Sequence, residues 1–311
     1  MRSKALLGPL AVLCGVLLLV LTIPLPLARG ASPVPQGATL TLFSVASSDG
    51  LLRTIDQTTG ATLSSVQITL SGSNINSATA LATRPSDGTL WAIVNPGGGG
   101  VSALATGRPL VTVNPTTGVA TLIGNTGDNF AGLAFDCSSN LYGISGDGAN
   151  EPESLFSINT TTGAATLLSR LRRGNDGEAI AFNPSDSMIY HSSGHVGDYS
   201  PSSNSGVMFE KLNPLQPPFT NIPVGVPLTD NEIHALTWNA SGSSFFWTQE
   251  VSSTSGTLFR VTSAGTPTLV GTTDHRSKGL AVSGGGRSTR FPRATTCCAS
   301  STRRPRPPPR A

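Results

Sequence analysis

"LFSINTTTGAATLL", residues 155–168, repeats the wording of "LVTVNPTTGVATLI", residues 110–123, at an offset of 45 positions. Leu155, Ser157 and Asn159 alternate with Phe156 and Ile158, the period-two pattern of a strand with one buried face. The Asn that follows can bond its own backbone, and the Gly supplies a positive φ, so "NTTTG" and "NPTTG" read as turns. Each copy is therefore a hairpin: strand, turn, strand. "LLRTIDQTTG" (51–60) and "TLFRVTSAG" (257–265) repeat its first half. "VATLIG" (119–124), "AATLLS" (164–169) and "TPTLVG" (266–271) repeat its second.

Outward from the hairpin, two further segments recur ahead of it. One reads "AGLAFD" (131–136), matched by "EAIAFN" (178–183), "HALTWN" (234–239), "TALATR" (79–84) and "KGLAVS" (278–283). The other reads "NLYGIS" (140–145), matched by "MIYHSS" (188–193), "SFFWTQ" (244–249) and "TLWAIV" (89–94). Four short antiparallel strands per unit of roughly 45 residues is the pattern of a β-propeller blade, which buries its faces only by packing against neighbours around a ring. The wording "GLAFD…LY.I…L..I…TG..T.I" resembles that of secreted bacterial propellers of the NHL and YncE-like kind. The resemblance covers residues 40–283 and implies a fold. It implies little about activity, because propellers host many roles.

The first-segment copies number five, anchored at Leu81, Leu133, Ile180, Leu236 and Leu280. The N-terminal copy, "TLFSVAS" (41–47), starts with a second-type strand and lacks a first. The last copy, "KGLAVS", is a first strand alone. Together they complete one blade, so the sequence predicts an all-β propeller of about five blades, sealed by residues 278–283 pairing with 41–47. Such closure removes free sheet edges.

Composition agrees with this reading. Charged residues are 12% of the 311-residue chain, and 35 Gly with 23 Pro suit many short strands and turns. The net charge of +3 is unevenly spread. Residues 32–283 carry ten basic against 17 acidic residues, a net −7, so no basic face suggests nucleic acid. Arg2 and Lys4 precede an apolar run that ends near Pro24 and Pro26. Residues 1–31 thus read as a signal peptide, or as an uncleaved anchor that would be the chain's one membrane contact. A linker (32–39) follows. Residues 284–311 hold seven Arg and no acid. They read either as a disordered Arg/Pro-rich tail or as a stretch translated out of frame. Export implies an oxidising compartment, and hence a secreted or cell-surface protein. Yet the cysteines (Cys14, Cys137, Cys297, Cys298) form no disulfide framework, and Cys137 reads as a small turn residue.

Candidate chemistry lies in the loops that lead into the first strands. They bring Asp128, Asp176, Glu178, Asp230, Glu232, His234, Asp274, His275 and Lys278 towards one mouth of the channel. Oxygen ligands from Asp128, Asp176, Asp230 and Asp274 would suit a calcium ion. Glu178 or Asp176 with His234 would make a carboxylate–imidazole pair for general acid/base work. His191 and His195, four apart with Asp198 near, have the spacing of a zinc pair on a helix, but here the pattern is a strand running into a loop. No G-x-S-x-G or other nucleophile motif is present. The expected function is therefore a secreted, non-enzymatic propeller binding a protein, a glycan or a small ligand on one face. The alternative is a calcium-dependent hydrolase or lactonase working at the channel mouth.

Overall fold

The computed structural model describes residues 40–96, 108–146, 148–171, 177–193, 209–217, 219–220, 222–225 and 232–284. The signal or anchor segment, the linker and the Arg-rich tail lie outside them. So do Asp176, Asp230, His195 and Asp198. Every regular element among the described residues is a strand.

In chain order, β1 (Leu40–Ala46), β2 (Leu51–Ile55) and β3 (Thr62–Gln67) open the fold. A two-residue β4 (Thr69–Leu70) leads to β5 (Ser73–Thr83), β6 (Leu90–Pro96), β7 (Pro109–Val113) and β8 (Val119–Asn125). Next come β9 (Phe130–Phe135), β10 (Leu141–Ser145), β11 (Ser154–Ile158) and β12 (Ala165–Arg170). Then follow β13 (Gly177–Asn183), β14 (Met188–Ser193), β15 (Phe209–Leu212) and β16 (Ile222–Pro223). The last are β17 (Ile233–Asn239), β18 (Ser244–Ser252), β19 (Ser255–Val261), β20 (Pro267–Thr273) and β21 (Ser277–Gly284). Four sheets run β21-β1-β2-β3, β9 to β12, β13 to β16 and β17 to β20. β5 to β8 make another, in which β4 pairs with both β5 and β8 and closes the hydrogen-bonding on itself. That addition was not expected. It arises where Thr69 N–H donates to the carbonyl of turn glycine Gly118.

The inner strands pack in succession, β5 on β9, β9 on β13, β13 on β17, β17 on β21, and β21 back on β5. This is a β-propeller. Its seam is the expected one: β21 pairs antiparallel with β1, from Leu40↔Gly284 to Ala46↔Ser277. Close approach of inner strands requires glycine at Gly279, where a Cβ would lie 2.8 Å from Leu81 N.

The repeats are equivalent in register. One cross-strand row reads Leu81–Ala92–Val111–Leu122 in one sheet, Leu133–Gly143–Phe156–Leu167 in the next and Leu236–Trp247–Phe259–Leu269 in another. Most of these side chains fill the space between sheets. In two sheets the same row is polar at its centre: Leu280–Ser44–Arg53–Ser65 and Ile180–His191–Glu210–Pro223.

The repeated turns also join the sheets. Asn159 Oδ1 accepts from Thr161 N and Thr162 N, and Gly163 N donates to Asn159 O. Gly163 takes φ +76°, and a Cβ there would lie 2.8 Å from the Gly124 carbonyl carbon of the preceding sheet. The "TTG" wording thus serves a turn and a contact between sheets at once.

Candidate functional site

The five inner strands present equivalent residues just ahead of their anchoring Leu or Ile. These are Thr79, Ala131, Glu178, His234 and Lys278. Below them the axis is closed. Leu81, Leu133, Ile180, Leu236 and Leu280 leave a cavity of about 10 Å³, room for roughly one water. Among the described residues that space is too small for an organic ligand.

The mouth is charged along one arc. His234 is 1% exposed, and its Nδ1 lies 3.2 Å from Glu178 Oε2. Its Nε2 lies 2.9 Å from Glu232 Oε2 and 2.9 Å from Glu250 Oε2. Lys278 Nζ donates to Glu178 Oε2 at 2.7 Å. Arg276 Nη2 stands 2.7 Å from Glu250 Oε2, 3.7 Å from Glu232 Oε2 and 3.3 Å from His234 Nε2. Three carboxylates thus face lysine, arginine and imidazole, contributed by β13, β17 and the residue before it, β18, and β21 with the loop that leads into it. Thr79 and Ala131, on the other arc, are uncharged.

Burial disfavours a charged imidazole at His234, but hydrogen bonds to Glu178 and Glu232 outweigh it and raise its pKa. In return the His234 contact holds the Glu232 carboxyl below its usual range, against the opposing effect of burial. Each contact favours the charged form of its partner.

The sequence brought Glu178, Glu232, His234 and Lys278 together by register, and the structure places all four here. Glu250 and Arg276 were missed. Glu250 belongs to β18, which is longer than the other second strands, and Arg276 to the loop into β21, where no other inner strand is directly preceded by an arginine.

Other candidates lie elsewhere. Asp128 Oδ1 accepts from Asn129 N in its own loop and from Asn150 N in the connection between β10 and β11. Asp274 accepts from Thr62 Oγ1 and pairs with His275 Nδ1 at 2.9 Å. His275 Nε2 turns inward to Ser44 Oγ at 2.7 Å and Ser277 Oγ at 3.0 Å. This Ser–His–Asp order has the distances of a nucleophile relay, but Ser44 is 0% exposed and Ser277 2%, so no carbonyl can reach either hydroxyl. Burial pushes the His275 pKa down, and the bond to Asp274 restores only part of it. Asp128 and Asp274 therefore contribute nothing to the cluster around His234. The expected calcium set is not assembled by the two of its four members that the structure describes.

His191, read from sequence beside His195, pairs instead with Glu210. The Nδ1–Oε1 distance is 3.1 Å and both side chains are fully buried. Its Nε2 has no hydrogen-bond partner among the described residues. Cys137 is disulfide-bonded rather than a plain turn residue, and its partner lies outside the described residues.

No family model and no curated protein matches the chain. Among solved structures, a chain of a nidogen–laminin complex is similar at 11% identity and TM-score 0.48, covering 79% of this chain and 98% of that one. A protein of unknown function from Bacteroides caccae is similar at 11% identity and TM-score 0.45, covering 78% of this chain and 98% of that one. The fold rests on the strand pairings themselves.

Proposed function

We propose that the chain is a secreted, non-catalytic propeller of the NHL and YncE-like kind that binds a glycan, a small ligand or a protein across its charged mouth. One observation carries this. The second strands end and the third strands begin on the mouth face, and between them the sequence runs through 97–108, 146–153 and 194–208 in three of the sheets. On the other face, first-to-second connections span only 84–89, 136–140, 184–187 and 240–243. Long, unlike loops gathered on one face of a regular scaffold are where such folds carry recognition.

A second reading, hydrolysis at the mouth, draws on the Glu178–His234 pair as an acid/base couple. The sequence holds no recognisable nucleophile motif, and among the described residues His234 meets the carboxylates of Glu178, Glu232 and Glu250 and the guanidinium of Arg276.

The test is a thermal-shift screen of glycans, sugar acids and small zwitterions against wild type, Lys278→Ala and Asp87→Asn. Asp87 lies on the tight-turn face and pairs only locally with Arg84 and Thr89. A ligand at about 100 times its Kd adds about 2.7 kcal/mol of stability. A shift lost in Lys278→Ala and kept in Asp87→Asn supports the reading. A shift indifferent to Lys278→Ala overturns it, as does turnover of an ester or a lactone in a parallel hydrolysis assay of the wild type.

A further inference from the structure

The mouth cluster is more than a set of acids. Its central donor is an imidazole, nine-tenths and more buried, oriented from behind. Glu178 accepts from His234 Nδ1 and is itself held by Lys278. A carboxylate behind one ring nitrogen fixes the tautomer and aims the other, the arrangement found behind metal-ligating histidines. The aimed atom, Nε2, has Glu232 and Glu250 oxygens at 2.9 Å each. Adjacent ligands of a six-coordinate ion with bonds of about 2.1 Å sit roughly 3 Å apart.

A cation already stands among these donors. Arg276 Nη2 reaches all three atoms, at 2.7, 3.3 and 3.7 Å. It does so at a cost, because Arg276 Nε is buried with no hydrogen-bond acceptor among the described residues. A guanidinium with a complete set of partners would not leave that N–H unpaired. The seat therefore attracts positive charge strongly, and arginine fills it imperfectly.

We propose that His234 Nε2, Glu232 and Glu250 form a site for one divalent transition ion of the zinc or manganese class, and that Arg276 competes for the same seat. Nitrogen beside carboxylate oxygen favours such ions over calcium. On binding, the ion takes the place beside Nε2, any proton held there leaves to solvent, and Arg276, already partly exposed, swings out. Two carboxylates balance the ion, while Glu178 and Lys278 balance one another. Three protein ligands leave further positions open towards the mouth, where an anionic oxygen of a ligand would bind the ion and meet the displaced guanidinium. The inference deepens the binding reading, since it concerns the same mouth, but its test needs no ligand.

The experiment is calorimetric titration of the metal-stripped full chain with Zn²⁺, with Co²⁺ absorption as a second readout. Variants are Arg276→Ala, His234→Gln and Glu232→Gln/Glu250→Gln, each checked for a wild-type far-UV spectrum. Expected are one equivalent in wild type and at least tenfold tighter binding in Arg276→Ala. Loss of that equivalent is expected in the other two. If His234→Gln does not fold, the double glutamine variant alone decides. Binding in Arg276→Ala no tighter than wild type overturns the proposal, as does an equivalent that survives in Glu232→Gln/Glu250→Gln. A negative titration leaves the thermal-shift screen untouched, and a negative screen leaves the metal site standing, so the two failures are distinct.

Discussion

Two buried histidines on the same face of the ring hold their protons differently. His234 is 1% exposed and His275 is 3% exposed, and both meet the loop that leads into β21. Burial works against the charged form of each. At His234 the hydrogen bonds to buried Glu178 and half-buried Glu232 prevail, and its pKa rises. At His275 the single carboxylate partner, Asp274, is 64% exposed, Arg53 adds a repulsion, and the pKa falls. Similar burial thus leads to shifts of opposite direction. What decides is how far the partner carboxylate is itself withdrawn from water, because a solvated charge is screened and a buried one is not.

The sharpest way to break this comparison is to remove a withdrawn partner. Glu178→Ala leaves the His234 ring and Lys278 without their shared acceptor. Stranding a buried charge in this way costs about 3–5 kcal/mol. Urea unfolding should show a lower midpoint with an unchanged slope. A loss below about 1 kcal/mol would mean that the mouth is as solvated as the seam.

Ser44→Ala probes the seam with a smaller effect. Ser44 Oγ meets both His275 Nε2 and Ser277 Oγ, at 2.7 and 2.8 Å. Ser277 still reaches the ring after the change, so nothing charged is orphaned. The expected loss is about 1 kcal/mol, the worth of one neutral hydrogen bond. A loss matching that of Glu178→Ala would show that β21 and β1 depend on this contact more than on their ladder.

These two regions also differ in how they could be read from sequence. The fold was legible because its signals are local: Asn159 and Gly163 declare a turn, and period two declares the strands beside it. The seam was legible because each end of the chain lacked what the other supplied. Glu178, His234 and Lys278 were legible because they occupy one register of a repeated strand. Glu250 was not, since its reach depends on β18 extending to Ser252, beyond the repeat. His191–Glu210 was hidden for a related reason. The two are cross-strand neighbours only after the connection 194–208 is spanned, and sequence gives no register across fifteen residues. The Ser44–His275 contact joins residues 231 apart and exists only once the ring is closed.

A pH series sharpens the comparison further, with EDTA present so that no ion intrudes. For His234 the folded pKa lies above the unfolded value of about 6.5. Its contribution is therefore complete below pH 6.5 and fades as pH rises through the folded value. For His275 the folded pKa lies below that value. Its stabilising contribution is complete above pH 6.5 and is lost as pH falls towards the folded value. Thermal unfolding from pH 5 to 9 should show His275→Gln flattening the acid limb and His234→Gln the alkaline limb. Both variants flattening the same limb would refute the contrast.

The smallest effect is the most discriminating. Asp274→Asn keeps the shape of the side chain and an oxygen acceptor for the His275 Nδ1–H, and removes only the charge. If that carboxylate is screened, as its 64% exposure implies, the loss at pH 7 stays under about 0.5 kcal/mol. The His275 pKa, followed by its ring resonances, should fall slightly further. The same isosteric change at Glu178, Glu178→Gln, meets a buried lysine and a buried ring, and its loss should exceed that of Asp274→Asn several-fold. Equal losses would place the control of charge in burial of the histidines themselves, and the partner's exposure would then explain neither.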